Sequence, residues 1–356
     1  MATSSRTHTD YTVGWICALP KERTAATFML DSRHPNLPKP RDDHNTYTLG
    51  SIGRHNVVIA CLPKGKTGTE PAAVAVTRML STFTSVRFGL MVGTAGGIPH
   101  KDKVRLGDVV VSVPFDQYPG VVQWDLGKAI AGGRFKRTGA LNNPPMQLLT
   151  ALSKLETDHE MKGSKIPEYL DVFRKENPRI GAKYLKSNLL KDELFKSSCH
   201  HVVDERGNLE SDIPESKTSD KDQEEENEEE EEEPQKDNCQ YCDRTKIIKR
   251  KPRDMCVHYG LIASGNQIIK DAAVRDRINS DLGGEVLCIE TEAAGIMNNL
   301  PCIVIRGICN YADSHKNKSW TAHAAAVAAA YAKELLAYVQ QDEGGRQPAV
   351  QTVKGT

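Results

Sequence analysis

The stretch Leu287 to Trp320, LCIETEAAGIMNNLPCIVIRGICNYADSHKNKSW, constrains this chain more than any other. It reads as an apolar run, a short Ala-rich segment and a second apolar run, with polar side chains where each run ends. The first run delivers Glu290 and Glu292; the second, Pro301 to Cys309, delivers Asn310 and Asp313. Between them Ala293 to Asn299 reads as a short helix that halts before Pro301. A strand, a helix and a strand of this length bring both polar clusters to one edge of a sheet, where α/β proteins bind ligands. Alternation along a strand predicts Glu290 and Glu292 on one face and Thr291 on the other. On spacing alone the two glutamates read equally well as caps of the helix that follows, because carboxylates favour helix N-termini.

The rest of the chain supplies more α/β pattern. Tyr11 to Leu19 reads as a buried strand, followed by Pro20 at a helix start and by Glu22 in the first turn, where a carboxylate complements the helix dipole. Tyr47 to Ile52 and Asn56 to Leu62 read as a hairpin. Pro63 to Glu70, PKGKTGTE, lacks a glycine five residues before Gly65, so the phosphate-loop spacing fails; its turn opens a helix from Pro71 to Phe83. Arg87 to Val92 reads as a buried strand running into a Gly-rich turn, Gly93-Thr94-Ala95-Gly96-Gly97. Backbone N–H groups in such a turn can approach a ligand closely. Strands are expected at Gly120 to Asp125 and Val257 to Gly265, an amphipathic helix at Met146 to Glu156, and a long Ala-rich helix at Ala322 to Val339.

Two motifs resemble the nucleoside phosphorylase/nucleosidase superfamily. One is the Gly-rich turn followed by Leu106-Gly107-Asp108-Val109-Val110-Val111-Ser112. The other is ETEAAG followed by VIRGICNYAD. The closest likeness is to the methylthioadenosine/S-adenosylhomocysteine nucleosidase branch and the related domain common in fungal proteins. The resemblance covers about Tyr11 to Thr150 and Val257 to Val339. It implies a three-layer α/β/α fold with a mixed central sheet, a homo-oligomer, and cleavage of a purine N-glycosidic bond with no required cofactor.

The resemblance also assigns roles. Ala18-Leu19-Pro20-Lys21-Glu22 matches the segment whose glutamate activates the hydrolytic water. Glu292 falls where ribose hydroxyls are bound, with Glu290 beside it. Thr94, Ala95, Gly96 and Gly97 line the substrate, and Arg306 orients Glu292 or Asn310. Three positions depart from the pattern. Thr291 replaces a methionine, Ile268 in Ser264-Gly265-Asn266-Gln267-Ile268 replaces the aromatic that stacks on the purine, and Asn310 replaces the aspartate that protonates it. An amide has no ionisable proton near neutral pH, so Asn310 cannot be that acid. It either steers recognition of a 6-oxopurine or leaves a weakened nucleosidase. Asp313, three residues on, reads as a loop cap. Phosphorylases of the superfamily place an arginine where Met91 stands, and methionine offers phosphate no charge-assisted bond. Water is therefore the expected nucleophile, with a phosphate-dependent phosphorylase and a nucleoside-binding module without glycosidase chemistry as the alternatives.

From about Asp158 the composition turns polar. The acidic run Glu224 to Glu233 and the basic Lys246 to Arg253 cannot bury enough surface to offset ordering entropy. A single domain at 11–340 is expected, interrupted by a charged, largely disordered insertion at about 204–254, with a disordered start at 1–10 and a flexible tail at 341–356. Cys239-Gln240-Tyr241-Cys242, near Cys199, His200, His201 and Cys256, has the ligand types and C-x-x-C spacing of a structural zinc site, or is a surface loop with free thiols. Lys+Arg and Asp+Glu balance at 47 each, which gives no global field to recruit nucleic acid or a membrane surface. Nine cysteines scattered through apolar runs fit a reducing compartment. With no signal peptide and no apolar run long enough to span a bilayer, the expected location is cytoplasmic or nuclear, and the expected partner a small purine nucleoside or nucleotide.

Overall fold

A computed structural model describes residues 6–99, 103–132, 134–187, 190–202, 239, 241–316 and 318–340. In chain order its elements are β1 (Val13–Cys17), α1 (Pro20–Phe28), β2 (Ser32–His34), β3 (Tyr47–Ile52), β4 (His55–Cys61), α2 (Thr69–Thr82) and β5 (Phe88–Gly97). There follow β6 (Val109–Ser112), β7 (Val121–Gln123), β8 (Gly127–Ile130), β9 (Arg134–Arg137), α3 (Met146–Lys162), α4 (Ile166–Glu176) and α5 (Pro178–Tyr184). The last group is β10 (Val257–Ser264), α6 (Ala272–Asp281), β11 (Val286–Glu290), β12 (Cys302–Asn310) and α7 (Thr321–Leu336).

The central sheet is mixed. Its order is β11-β10-β6-β12-β5-β1-β4-β3-β2, with β7 beside β10. Parallel pairs join β1 to β4 and β5, β5 to β12, and β10 to β6 and β11; β12 runs antiparallel to β6. The end of β5 also pairs antiparallel with β11, Gly97 opposite Cys288 and Gly96 opposite Ile289. That contact curls the sheet back onto itself.

Buried on both faces, the strands read as near-continuous apolar runs, and alternation sorts their side chains into two layers. Trp15, Ile59, Leu90, Val111 and Ile305 face α1, α3, α4, α5 and α7. Ile16, Val58, Met91, Val110 and Val304 face α2 and the segment after β11. Helix, sheet, helix: the three-layer α/β/α expectation is met.

Three local expectations differ from the structure. The Gly-rich stretch is not a turn, because β5 continues as strand through Gly97. The segment after β11 is only a 3₁₀ turn, Ala293–Gly295, followed by irregular turns to Leu300. A Cβ on Gly295 would stand 1.9 Å from the Thr69 carbonyl oxygen, so packing against the start of α2 confines this segment. Residues 6–10, expected to be disordered, carry a 3₁₀ turn at His8–Asp10, and His8 Nε2 lies 2.7 Å from the Pro38 carbonyl.

The expected disordered insertion falls mostly on 203–238, outside the described residues, as do 1–5 and 341–356. Within its remainder, Arg244–Lys246 forms a 3₁₀ turn and Ile247 bridges Phe195. Arg250 donates to Asp192 and to the Tyr311 hydroxyl, both at 2.8 Å. Among the described residues no helix is long and apolar enough to cross a membrane.

Candidate active site

The site is built where β1, β5, β11 and β12 end. Glu22 sits in the first turn of α1 and is 4 % exposed. Its Oε2 accepts from the N–H groups of Ala18 (2.9 Å) and Leu19 (3.0 Å), which tie the carboxylate back to the start of α1. Its Oε1 accepts from the Thr94 N–H (2.7 Å) and hydroxyl (3.0 Å), across to β5. Four donors fill the roughly four acceptor positions of a carboxylate. The Thr94 hydroxyl is the one that can rotate away.

From the other end of the chain come Glu290 and Glu292, each 4 % exposed, and Arg306, fully buried. Glu290 ends β11, and its carboxylate accepts from the N–H groups of Glu292 (3.1 Å) and Ala293 (3.0 Å), at the start of a 3₁₀ turn rather than of the expected helix. The same carboxylate pairs with Arg306 Nη2, which stands 3.4 Å from Glu292 Oε2. The predicted strand alternation stops two residues short of Glu292, because β11 ends at Glu290; both carboxylates still reach one guanidinium. Thr291 turns inward and donates to Glu292 Oε1 at 2.5 Å.

Gly93 joins the two halves of the site. A Cβ there would lie 2.4 Å from Arg306 Nη1 and 2.7 Å from Glu22 Oε1. Only a glycine lets β5 pass between the N-terminal carboxylate and the C-terminal guanidinium. Glu22 and Glu292 therefore share one buried cluster. Arg306 Nε and Nη1 have no hydrogen-bond partner among the described residues.

Electrostatics follow from that crowding. Burial raises the Glu292 carboxyl to about 7; the Glu290 and Glu22 charges push the same way, while Arg306 and the Thr291 hydroxyl oppose them. Arg306 stays charged, because Glu290, Glu292 and Glu22 outweigh the cost of burying it. With all three carboxyls ionised the cluster carries two net negative charges, a setting that favours a cation beside it and disfavours phosphate.

Asn310 ends β12. Its Oδ1 accepts from the Ala312 N–H (2.9 Å) and its Nδ2 faces Cys309 Sγ (3.1 Å), so the amide is engaged in its own loop. Ala312 has a left-handed φ of 50°, unusual for a residue with a Cβ. Gly96 makes room for this loop, since a Cβ there would stand 2.8 Å from the Ala312 Cβ and 2.9 Å from Asn310 Oδ1. Gly97 faces Ile308, and the Ala95 carbonyl accepts from Cys309 Sγ at 3.6 Å. Asp313 is the loop cap expected, its Oδ1 accepting from the His315 N–H at 3.0 Å.

Met91 shares the face of β5 that Gly93 presents to the site, but it is fully buried among apolar side chains packed on α2. Ile268 is 58 % exposed and joins none of the apolar clusters among the described residues. Sequence reasoning missed Cys309, which is buried between Asn310 and the end of β5; its apolar neighbours made it read as core.

Asp108, the acid of the GDVVVS motif, serves a different cluster. It is 1 % exposed and accepts from Arg253 (2.5 Å), His258 (2.8 Å) and the Cys256 N–H (3.0 Å). Burial would raise its carboxyl, but the bonds from His258, Arg253 and Cys256 hold it below the ordinary value.

Comparison with known proteins bears on the fold and on part of the sequence. Residues 12–145 match the phosphorylase superfamily. A nucleotide-binding leucine-rich repeat (NLR)-like protein of Hyaloscypha variabilis is 45 % identical over 333 residues, covering 93 % of this chain but only 29 % of that protein. Among solved structures, futalosine hydrolase of Helicobacter pylori superimposes with a TM-score of 0.53 at 15 % identity, covering 93 % of this chain and 99 % of that one. The methylthioadenosine/S-adenosylhomocysteine nucleosidase of Streptococcus pneumoniae, solved with a transition-state inhibitor, gives 0.53 at 17 % identity, with 92 % and 100 % covered. An aspartate-to-asparagine variant of the Helicobacter pylori nucleosidase, with 5'-methylthioadenosine in its active site, gives 0.53 at 14 %, with 92 % and 98 % covered. Sequence and fold thus agree: the chain matches the phosphorylase superfamily over residues 12–145 and has the nucleoside phosphorylase/nucleosidase fold.

Proposed function

We propose that this chain hydrolyses the N-glycosidic bond of a purine nucleoside or nucleotide, with a rate limited by Asn310. The observation that carries the reading is the convergence of Glu22, Glu290 and Glu292 around Gly93 and Arg306. Breaking this bond passes through a sugar with oxocarbenium character, and a net negative cluster stabilises positive charge as it develops. Glu292 accepts the ribose hydroxyls, Arg306 orients it, and Glu290 assists. Glu22 holds the attacking water once the Thr94 hydroxyl rotates from Oε1 toward substrate. The backbone of Thr94, Ala95, Gly96 and Gly97 lines the sugar.

The same charge argues against a phosphorylase, because inorganic phosphate would enter beside three carboxylates and find at Met91 only a buried apolar side chain. The fold neighbours named as nucleosidases support the reaction class. A homo-oligomer belongs to the same proposal, and sizing the purified chain tests it.

One observation favours a second reading. Both functional atoms of the Asn310 amide are engaged in the loop, and an amide has no ionisable proton to give. A nucleoside-binding module without turnover fits that arrangement. The Asp-to-Asn nucleosidase variant with 5'-methylthioadenosine in its active site is a precedent for such retention.

Chromatography of a nucleoside and nucleotide panel, with and without phosphate, separates these readings. Hydrolysis predicts free base without phosphate, and a gain on Asn310→Asp of about 10²–10⁴-fold, the usual worth of general acid catalysis. Base release that requires phosphate would refute it. No release from either protein, with nucleoside binding seen by calorimetry, would establish the second reading.

A further inference from the structure

The C-x-x-C turn lies beside the loop that follows Asn310, and the two bring four metal-ligating side chains together. His201 Nδ1 stands 3.2 Å from Cys242 Sγ and 3.9 Å from Cys239 Sγ. His315 completes the group: its ligand atom and those of His201 and Cys242 all lie within 4.8 Å of one another. In a tetrahedral zinc site, Zn–S of about 2.3 Å and Zn–N of about 2.0 Å set neighbouring N and S atoms roughly 3.5 Å apart. The two measured N–S distances fall on either side of that value.

Three further observations point to a metal rather than to chance packing. Both ring nitrogens of His315 are buried with no hydrogen-bond partner among the described residues. A ligand on one of them removes half of that cost. The Val202 N–H donates to Cys242 Sγ at 3.5 Å, and the Cys242 N–H to the Cys239 carbonyl at 3.1 Å, so a backbone donor is already turned toward the sulfur that would carry thiolate charge. The His315 ring is also held in place, lying flat on Phe195 with centroids 3.9 Å apart and planes within 4°.

We infer that Cys239, Cys242, His201 and His315 form a structural Cys₂His₂ zinc site that ties the C-x-x-C segment to the loop after Asn310. The new element is His315, five residues beyond Asn310 and on the same loop as Asp313. Zinc there fixes the backbone that aims the Asn310 side chain, and the His201 N–H bond to Ser314 Oγ (3.0 Å) strengthens the same joint. Cys256 is not a ligand: its Sγ faces the Asp254 carbonyl at 3.6 Å and does not join the grouped ligand atoms of His201, Cys242 and His315. The inference does not depend on the glycosidase reading, since it concerns only ligand geometry.

Elemental analysis of the purified full chain tests it. The expected result is one zinc per chain, lost in Cys242→Ser and in His315→Ala and retained in Cys256→Ser. If the substituted chains do not fold, cobalt supplies a second measurement. The chain, stripped of metal and titrated with Co²⁺, should show thiolate-to-cobalt charge transfer together with the intense visible bands of tetrahedral coordination. Zinc retained by Cys242→Ser, or Co²⁺ binding without a thiolate band, would overturn the assignment.

Discussion

Replacing Glu292 with glutamine should stabilise the protein, by an amount that grows with pH. Burial raises this carboxyl from its ordinary 4.5 to about 7. Below the ordinary value both the folded and the unfolded chain hold the proton, and the effect vanishes. Between the two values the folded chain keeps a proton that the unfolded chain has released, so stability falls as pH rises. Above about 7 both are ionised and the loss is complete. A rise of about 2.5 units at 1.36 kcal/mol per unit makes that loss on the order of 3 kcal/mol. Glutamine escapes it. Its amide oxygen can face Arg306, while the Thr291 hydroxyl turns to accept from the amide nitrogen. Urea unfolding of both proteins from about pH 5 to about pH 8.5 measures the effect, and the variant should gain on the native chain by most of that amount across the range. A stability difference that stays constant with pH would show that Glu292 titrates normally and that the crowded cluster does not shift it.

Other outcomes follow from the same contacts. If Glu292 acts as an ionised acceptor, kcat/KM for base release should rise with pH to a plateau above about 7, and Glu292→Gln should abolish both the limb and the activity. Gly93→Ala should cost roughly 1–3 kcal/mol in thermal or urea unfolding and eliminate activity, because its Cβ collides with Arg306 and Glu22 together. Asp108→Ala leaves Arg253 and His258 without their buried partner and should cost roughly 3–5 kcal/mol, while Asp108→Asn should cost less. A native-like urea midpoint for Asp108→Ala would refute that account.

Much of the fold was legible in the sequence because buried parallel strands announce themselves. Val13–Cys17, Val257–Ser264 and Cys302–Asn310 are mostly apolar runs, and Ala322 onward is a strong helix former. The Gly-rich stretch misled because composition cannot tell a turn from a strand whose neighbours need space. Gly93 yields to two charged side chains and Gly96 to the Asn310 loop, while both remain in β5. The helix expected after Glu292 failed for a similar reason, since Thr69 crowds Gly295 from outside the segment. The pairing of Glu22 with Glu292 across Gly93 came from family likeness, not periodicity, because the two are 270 positions apart. His315 carries no local signal that would connect it to Cys242.

The double pairing at the end of β5 bears on which part of the polypeptide can stand alone. Residues 12–145 carry the superfamily match, yet β5 within them takes β12 as a neighbour along its whole length and β11 at its tip. Both partners are made some two hundred residues later in synthesis. A fragment ending near residue 145 would leave a deeply buried strand with a bare edge and no cover, a template for aggregation. The recognisable half of the sequence is thus not a unit of folding: β5 must wait, unpaired on one side, until the second half emerges, and such long-range closure is slow.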